Sequence, residues 1–401
     1  MAKDSFLNSY SKENFSAIVF KNRNFYAAIL VTITAVLGIS SLSSALPKIA
    51  QSFEIDDASS GLILLFFTLP GIVFSPVLGF FSDKVGRKII LSIALFIFGI
   101  GFLGYFANDF KALLIIRFVQ GIGASTLLSL NVAILADTFE GRALKFALGM
   151  NGVVTSIALT LFPILGGVLS DINPRNPFLL SLFSFVSLIL LLFLLEDRAI
   201  KKSENEIKVP IRNAVNDDLI FVFLGTTFTF IVLYGAYLNY FSFLAKYRFE
   251  MSSTLTGVFI GISSFISAIV SYKIERITEF FRDEVVYVSG FVFYALSMIL
   301  FYISKDYIFL TLGSMFFGVA QGINITLTPQ LLNKFSKEEL RGLIMTANGS
   351  MVNLGQTIGP LIFSFAYRMF KLNGVFILGF LVSLLGLILT FKLAVKNPSN
   401  P

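Results

Sequence analysis

The chain has 401 residues, 56% hydrophobic and only 14% charged, with a formal net charge of +7 and no histidine, cysteine or tryptophan. A soluble domain carries about 25% charged residues, so the surplus apolar surface must meet a medium other than water, and a bilayer is that medium. Without histidine and cysteine there are no disulfides, thiolate nucleophiles, imidazole bases or usual zinc ligands, and neither cofactor nor metal is expected.

Residues 1–24 are polar and lead into an apolar run from Phe25 to Leu46. That run is too long for the core of a signal peptide and has no A-x-A site after it, which makes it a first membrane span. Runs long enough to cross about 30 Å of hydrocarbon follow at 59–81, 88–107, 111–136, 145–170 and 177–195. A second set lies at 218–242, 254–272, 285–304, 307–332, 341–368 and 374–392. The pattern predicts an all-α membrane protein of twelve helices in two bundles, 25–195 and 218–392. They are joined by a polar central loop at 196–217 and flanked by a segment at 1–24 and a tail at 393–401.

Of the 31 lysines and arginines, 22 fall on the side of both termini, 8 on the other side, and Arg117 within a span. The positive-inside rule then places both termini in the cytoplasm of a multi-pass protein of the inner membrane. Because the charges sit between apolar runs and not on one face, nucleic acid is excluded as a partner.

The halves echo each other. Gln120-Gly121-Ile122 in span 4 matches Gln321-Gly322-Ile323 in span 10. Asn151-Gly152 in span 5 stands twelve residues before Pro163, and Asn348-Gly349 in span 11 stands twelve before Pro360. Matching polar residues and prolines at equal spacing argue for a parallel duplication.

Arg117, Gly121, Ser125 and Ser129 step by four along span 4 and form one small-polar face suited to a water-filled pathway. The alternative is snorkelling to the nearer headgroups, since Arg117 is six residues from Lys111. On the terminus side of the membrane, Arg87 stands opposite Asp137 at the end of span 4, a candidate pair, while Lys84 and Lys88 serve as positive-inside anchors.

The loop after span 2, Gly79-Phe80-Phe81-Ser82-Asp83-Lys84-Val85-Gly86-Arg87-Lys88, resembles the G-x-x-x-D-x-x-G-R-K signature of the major facilitator superfamily, in the position where that superfamily carries it. Arg117-Phe118-Val119-Gln120-Gly121-Ile122-Gly123 is similar to its R-x-x-Q-G-x-G motif. Pro163-Ile164-Leu165-Gly166-Gly167 looks like the end of the G-P-x-x-G-G motif of its drug:proton antiporters, with Phe162 where a glycine is expected; span 11 carries an intact Gly355-Gln356-Thr357-Ile358-Gly359-Pro360.

The resemblance implies that Asp83 binds the start of span 11 near Arg341, with Arg142 at the start of span 5. This latch would close the cytoplasmic side and stabilise an outward-open state. Gly79 would permit close packing there and Gly86 a tight turn. It also implies a substrate site at the midplane between the halves. The polar residues of the pathway are Gln120, Asn151, Thr155, Gln321, Asn324, Asn353 and Gln356, and its aromatic residues, Tyr234 and Tyr237, cluster in the outer part of span 7. Each amide or hydroxyl taken singly is better read as interhelical glue.

As a set these residues describe a neutral, aromatic-rich cavity for lipophilic or amphipathic small molecules. The expected function is proton-coupled efflux by a monomer working through alternating access. The alternative is a carrier of sugars or other organic solutes, by uptake or facilitated exchange. No carboxylate stands at mid-span and no GxxxxGK[ST] loop is present, so proton coupling comes from the resemblance and ATP is not the direct energy source. No in-membrane cluster of acids is present to make the chain an enzyme.

Overall fold

The computed structural model describes residues 15–196, 216–337 and 340–395, without the side chains of Phe15, Phe80, Asp83 and Leu128. Most of the expected N-terminal segment, central loop and tail, and the Asp83 carboxylate, therefore lie outside the described residues. Ten spans are α1 (Arg23–Ser43), α2 (Gly61–Val85), α3 (Arg87–Phe106), α4 (Phe110–Thr138), α5 (Gly141–Ile172), α6 (Asn176–Leu194), α7 (Asp217–Phe249), α8 (Ser253–Thr278), α9 (Asp283–Ile303) and α10 (Tyr307–Phe335). The last element, Arg341–Val395, leaves helical geometry at Lys371, with φ 55° and ψ −151°. Its 55 residues would stretch about 80 Å as one helix, far beyond a bilayer. The break makes it α11 (341–370) and α12 (372–395), which completes the expected twelve.

Local chemistry sets the helix ends. Asp109 caps α4 and Asp306 caps α10, their carboxylates accepting first-turn N–H groups. Asn216 and Ser252 do the same for α7 and α8. Gly86 separates α2 from α3 at φ 108°, a backbone conformation costly to any residue with a Cβ.

α1–α6 form one bundle and α7–α12 the other. In the first, α4 packs on α1, α2 and α3, and α1 packs on α5; in the second, α10 packs on α7, α8 and α9, and α7 packs on α11. The duplication reaches the hydrogen bonds: Thr32 of α1 donates to Asn151 of α5 (2.6 Å), and Thr226 of α7 donates to Asn348 of α11 (2.9 Å).

Candidate functional site

The bundles meet along two seams, α5 against α8 and α2 against α11. One end of the molecule carries the Gly86 turn and the helix starts at Gly141 and Arg341; it is called here the basic face. The opposite end, with Asp57, Asp171 and Ser253, is the far face. Toward the far face both seams are tight because they are lined with glycine. A Cβ on Gly261 would lie 2.9 Å from the Thr160 carbonyl, and one on Gly167 or Gly257 would strike the Ser253 or Pro163 carbonyl. In the other seam, a Cβ on Gly61 would meet Asn239 at 2.7 Å and the Pro360 carbonyl at 3.4 Å.

Toward the basic face the same stripes have no partner among the described residues. Gly149 and Gly167 on α5 share one helix angle, five turns apart at about 3.6 residues per turn. Gly167 packs against α8, while a Cβ on Gly149 or Gly152 would meet nothing within 4 Å. Gly61 and Gly79 on α2 repeat the relation, as do Pro360 and Gly342 on α11, and positions 79, 342 and 349 are equally empty. The described residues thus form a cleft open to the basic face and sealed at the far face.

The seal thickens near the middle of the spans. Asn353 Nδ2 donates to the Gly71 carbonyl at 3.1 Å, and Thr68 Oγ1 reaches the Gln356 carbonyl at 3.4 Å, so Asn353 and Gln356 of the expected pathway do stand at the seam. Thr155 is half-buried, on the α5 segment between the open and closed parts, and its hydroxyl donates to the Asn151 carbonyl. Tyr234 is half-buried on a widened π-helical stretch of α7, Val232–Tyr237, beside Phe230.

Other expected pathway residues sit inside one bundle. Arg117 is 1% exposed: Nε donates to the Ile63 carbonyl (3.2 Å), one terminal nitrogen to Gln120 Oε1 (2.6 Å) and the other to the Gly38 carbonyl (3.0 Å), with the Phe67 ring 4.2 Å away. Gln120 in turn donates to Ser181 Oγ at 2.9 Å. The guanidinium therefore ties α1, α2, α4 and α6 together, and neither water nor headgroups reach it. Gly121 on the same helix lies against the Phe67 carbonyl, and Ser125 bonds back to Ile122. Asn151 is bonded to Thr32 and Asn131. Asn324 and Gln321 are buried within the second bundle, Asn324 donating to Thr229 at 3.1 Å. Tyr237 is stacked on Phe317 at 3.9 Å between ring centroids.

The expected packing residues do pack. Gly166 lies against the Ser41 carbonyl, and the Pro163 carbonyl accepts from Ser44 Oγ at 2.6 Å. A Cβ on Gly355 or Gly359 would come within 2.6 Å of the Thr227 carbonyl or 2.8 Å of the Ile231 carbonyl. On the basic face Arg87 Nε is paired with Asp137 Oδ2, and Arg142 and Arg341 are exposed at the starts of α5 and α11. Sequence reasoning missed a neighbour there: Lys334 pairs with the buried Glu284 at 2.8 Å.

It also missed the far-face closure. Asp171, ending α5, accepts from Lys48 Nζ (2.7 Å) and, across the seam, from Ser253 N, Thr254 N (both 2.9 Å) and Thr254 Oγ1. Asp57, just before α2, accepts from Tyr247 of α7 (3.0 Å) and Tyr367 of α11 (2.7 Å). Lys246 reaches Gln51 at 3.4 Å and Ser60 reaches Asn239 at 3.3 Å. All but the Lys48 bond link one bundle to the other.

The model of the Major Facilitator Superfamily matches residues 28–282 and 274–401. The tetracycline resistance protein, class H, of Pasteurella multocida is 24% identical over 363 residues, covering 86% of this chain and 89% of that protein. The bacillibactin exporter of Bacillus subtilis (strain 168) is 26% identical over 364 residues, covering 85% and 89%. A solved structure of a mutant of the nucleoside transporter NupG superposes at a TM-score of 0.80, covering 94% of this chain and 100% of that one, at 14% identity. At that identity the shared property is the fold.

Proposed function

The chain belongs to the Major Facilitator Superfamily, and from that premise we propose that it is a proton-coupled exporter of lipophilic or amphipathic small molecules, working as a monomer by alternating access. It is a carrier and not an enzyme. With lysine and arginine gathered on the basic face, that face is the cytoplasmic one in an inner membrane and both termini are cytoplasmic. The cleft then opens inward.

The observation that carries the reading is the pair of glycine-lined seams, packed at one end and, among the described residues, unpartnered at the other on the same helix stripes. Two rigid bundles joined this way can exchange which end is packed by a small rotation. Asp83 at the end of α2 and Arg341 at the start of α11 are positioned to close the cytoplasmic end in the opposite state, with the helix N-terminus favouring the carboxylate. Arg142 at the start of α5 lies on the same face. The Arg87–Asp137 pair fixes the α2–α3 turn to α4 within the first bundle.

The residues at the inner end of the seal are neutral: Thr155, Asn353, Gln356 and the Tyr234 edge. A site of this kind binds by apolar area and a few directional hydrogen bonds, and so takes lipophilic substrates. The bacillibactin exporter and the drug-resistance protein among the relatives support outward transport and do not favour a metabolite carrier of the same fold.

The test is accumulation of a lipophilic cationic dye such as ethidium in cells with and without the protein, before and after a protonophore. Lower accumulation in producing cells, abolished by the protonophore, is the expected result. Equal accumulation with the protein present in the membrane contradicts it. Proteoliposome flux that ignores an imposed pH gradient contradicts the proton coupling alone.

A further inference from the structure

A five-residue pattern occurs at the ends of two helices that cross the membrane in opposite directions. α2 ends in Gly79-Phe80-Phe81-Ser82-Asp83 on the basic face, and α5 ends in Gly167-Val168-Leu169-Ser170-Asp171 on the far face. Both serines are fully buried. The glycines of the two copies differ in what they touch. Gly167 lies against the Ser253 carbonyl, and Asp171 one turn later receives the first two N–H groups of α8, the Thr254 hydroxyl and the Lys48 ammonium. Among the described residues, nothing lies within 4 Å of where a Cβ on Gly79 would sit.

The chemistry of the engaged copy is that of a helix cap supplied by another bundle. The first N–H groups of a helix have no partner of their own helix, and a carboxylate there is favoured by the helix dipole as well as by its bonds. The glycine one turn before is what lets the two backbones come close enough for the bonds to form. Apart from the Lys48 bond, which lies within the first bundle, nothing in this arrangement survives separation of α5 from α8.

We propose that Gly167 and Asp171 form a far-face clamp, the inverted counterpart of Gly79 and Asp83, and that the two clamps engage alternately, each holding shut the face on which it lies. Asp171 is then a positioning residue for transport: it binds no substrate, and it sets the balance between the two access states. Its loss favours opening to the far face, whereas loss of Asp83 favours opening to the basic face. The proposal rests on the alternating-access reading, which assigns Asp83 to the closed basic face.

The chain has no native cysteine, so label pairs can be placed freely. Spin labels at Asp109→Cys with Lys305→Cys report on the far face, and at Lys145→Cys with Glu279→Cys on the basic face; all four positions are exposed. In the full-length protein in lipid, Asp171→Asn should lengthen the far-face distance and shorten the basic-face one. The ratio of far-open to far-closed molecules should rise about 5- to 30-fold, the range that the loss of one such contact produces. Asp83→Asn should move both distances the other way. An unshifted Asp171→Asn, or one that moves with Asp83→Asn, overturns the clamp. If Asp171→Asn fails to reach the membrane, Gly167→Val decides: a long far-face distance supports the clamp and a short one overturns it. Parent protein in which neither distance responds to ethidium or pH overturns the alternating-access reading itself; a responsive parent with unshifted variants overturns only the clamp.

Discussion

Replacing Arg117 by alanine removes three hydrogen bonds and a ring contact from the interior of the first bundle. Two of the acceptors, the Ile63 and Gly38 carbonyls, lie inside helices and keep their helical partners, and Gln120 keeps its bond to Ser181. Hydrogen bonds to a charged group contribute about 1.5–3 kcal/mol, and with three such bonds lost but the acceptors so little orphaned, a loss of about 3 kcal/mol applies here. A six-helix bundle is close in size to domains whose midpoint moves about 2–4 °C per kcal/mol, so the midpoint should fall by about 6–12 °C. Arg117→Met, which keeps apolar volume while removing the buried charge, should lose clearly less. The assay is thermal unfolding of purified protein in detergent, alongside ethidium binding to whatever fraction stays folded. An unchanged midpoint with lost dye binding would refute the placement of Arg117 in the bundle interior and restore it to a water-filled pathway.

Four further outcomes follow from named contacts. Gly359→Val puts a branched side chain where even a Cβ lies 2.8 Å from the Ile231 carbonyl; membrane-inserted protein by immunoblot should fall severalfold, whereas Gly349→Val, in open space, should insert normally. Tyr367→Phe and Tyr247→Phe each remove one bond to Asp57, about 1 kcal/mol apiece, and single-cysteine labelling from outside should rise at the seam while expression holds. Lys371→Gly relieves a residue held at φ 55°, ψ −151°, worth about 1–3 kcal/mol, and should raise the thermal midpoint without altering dye efflux. Asp137→Asn weakens the Arg87 pair on the basic face and should reduce efflux with little change in the midpoint, since exposed pairs contribute about 0–1 kcal/mol.

The twelve spans were legible because hydrophobic length and the lysine and arginine bias report directly on the bilayer. The break at Lys371 falls in the expected gap between 368 and 374, where one charged residue interrupts two apolar runs. The Arg87–Asp137 pair was legible because both residues had to be on the same side of the membrane. Arg117 was not, because a stripe on one helix does not say whether a cavity or another helix faces it. Here α1 and α2 do, and they close over the guanidinium with carbonyl oxygens. Tyr237 and Asn324 were expected in the pathway as aromatic and polar residues of their spans, yet both are buried inside the second bundle, Tyr237 stacked on Phe317 and Asn324 donating to Thr229. The far-face closure was illegible for a different reason. Asp171 and Thr254, or Asp57 and Tyr367, are far apart in the chain and carry no local signal of pairing beyond the repeated G-x-x-S-D.

Separation of the bundles at the far face is the step on which transport depends, and it can be blocked at will. Gln51→Cys and Lys246→Cys lie on opposite bundles at that face, where the native side chains meet at 3.4 Å. Joining them with a bifunctional maleimide in proteoliposomes should abolish ethidium transport while leaving its binding from the basic face intact, with each single-cysteine protein unaffected by the reagent. Cross-linked protein that still transports at the parental rate would contradict the account.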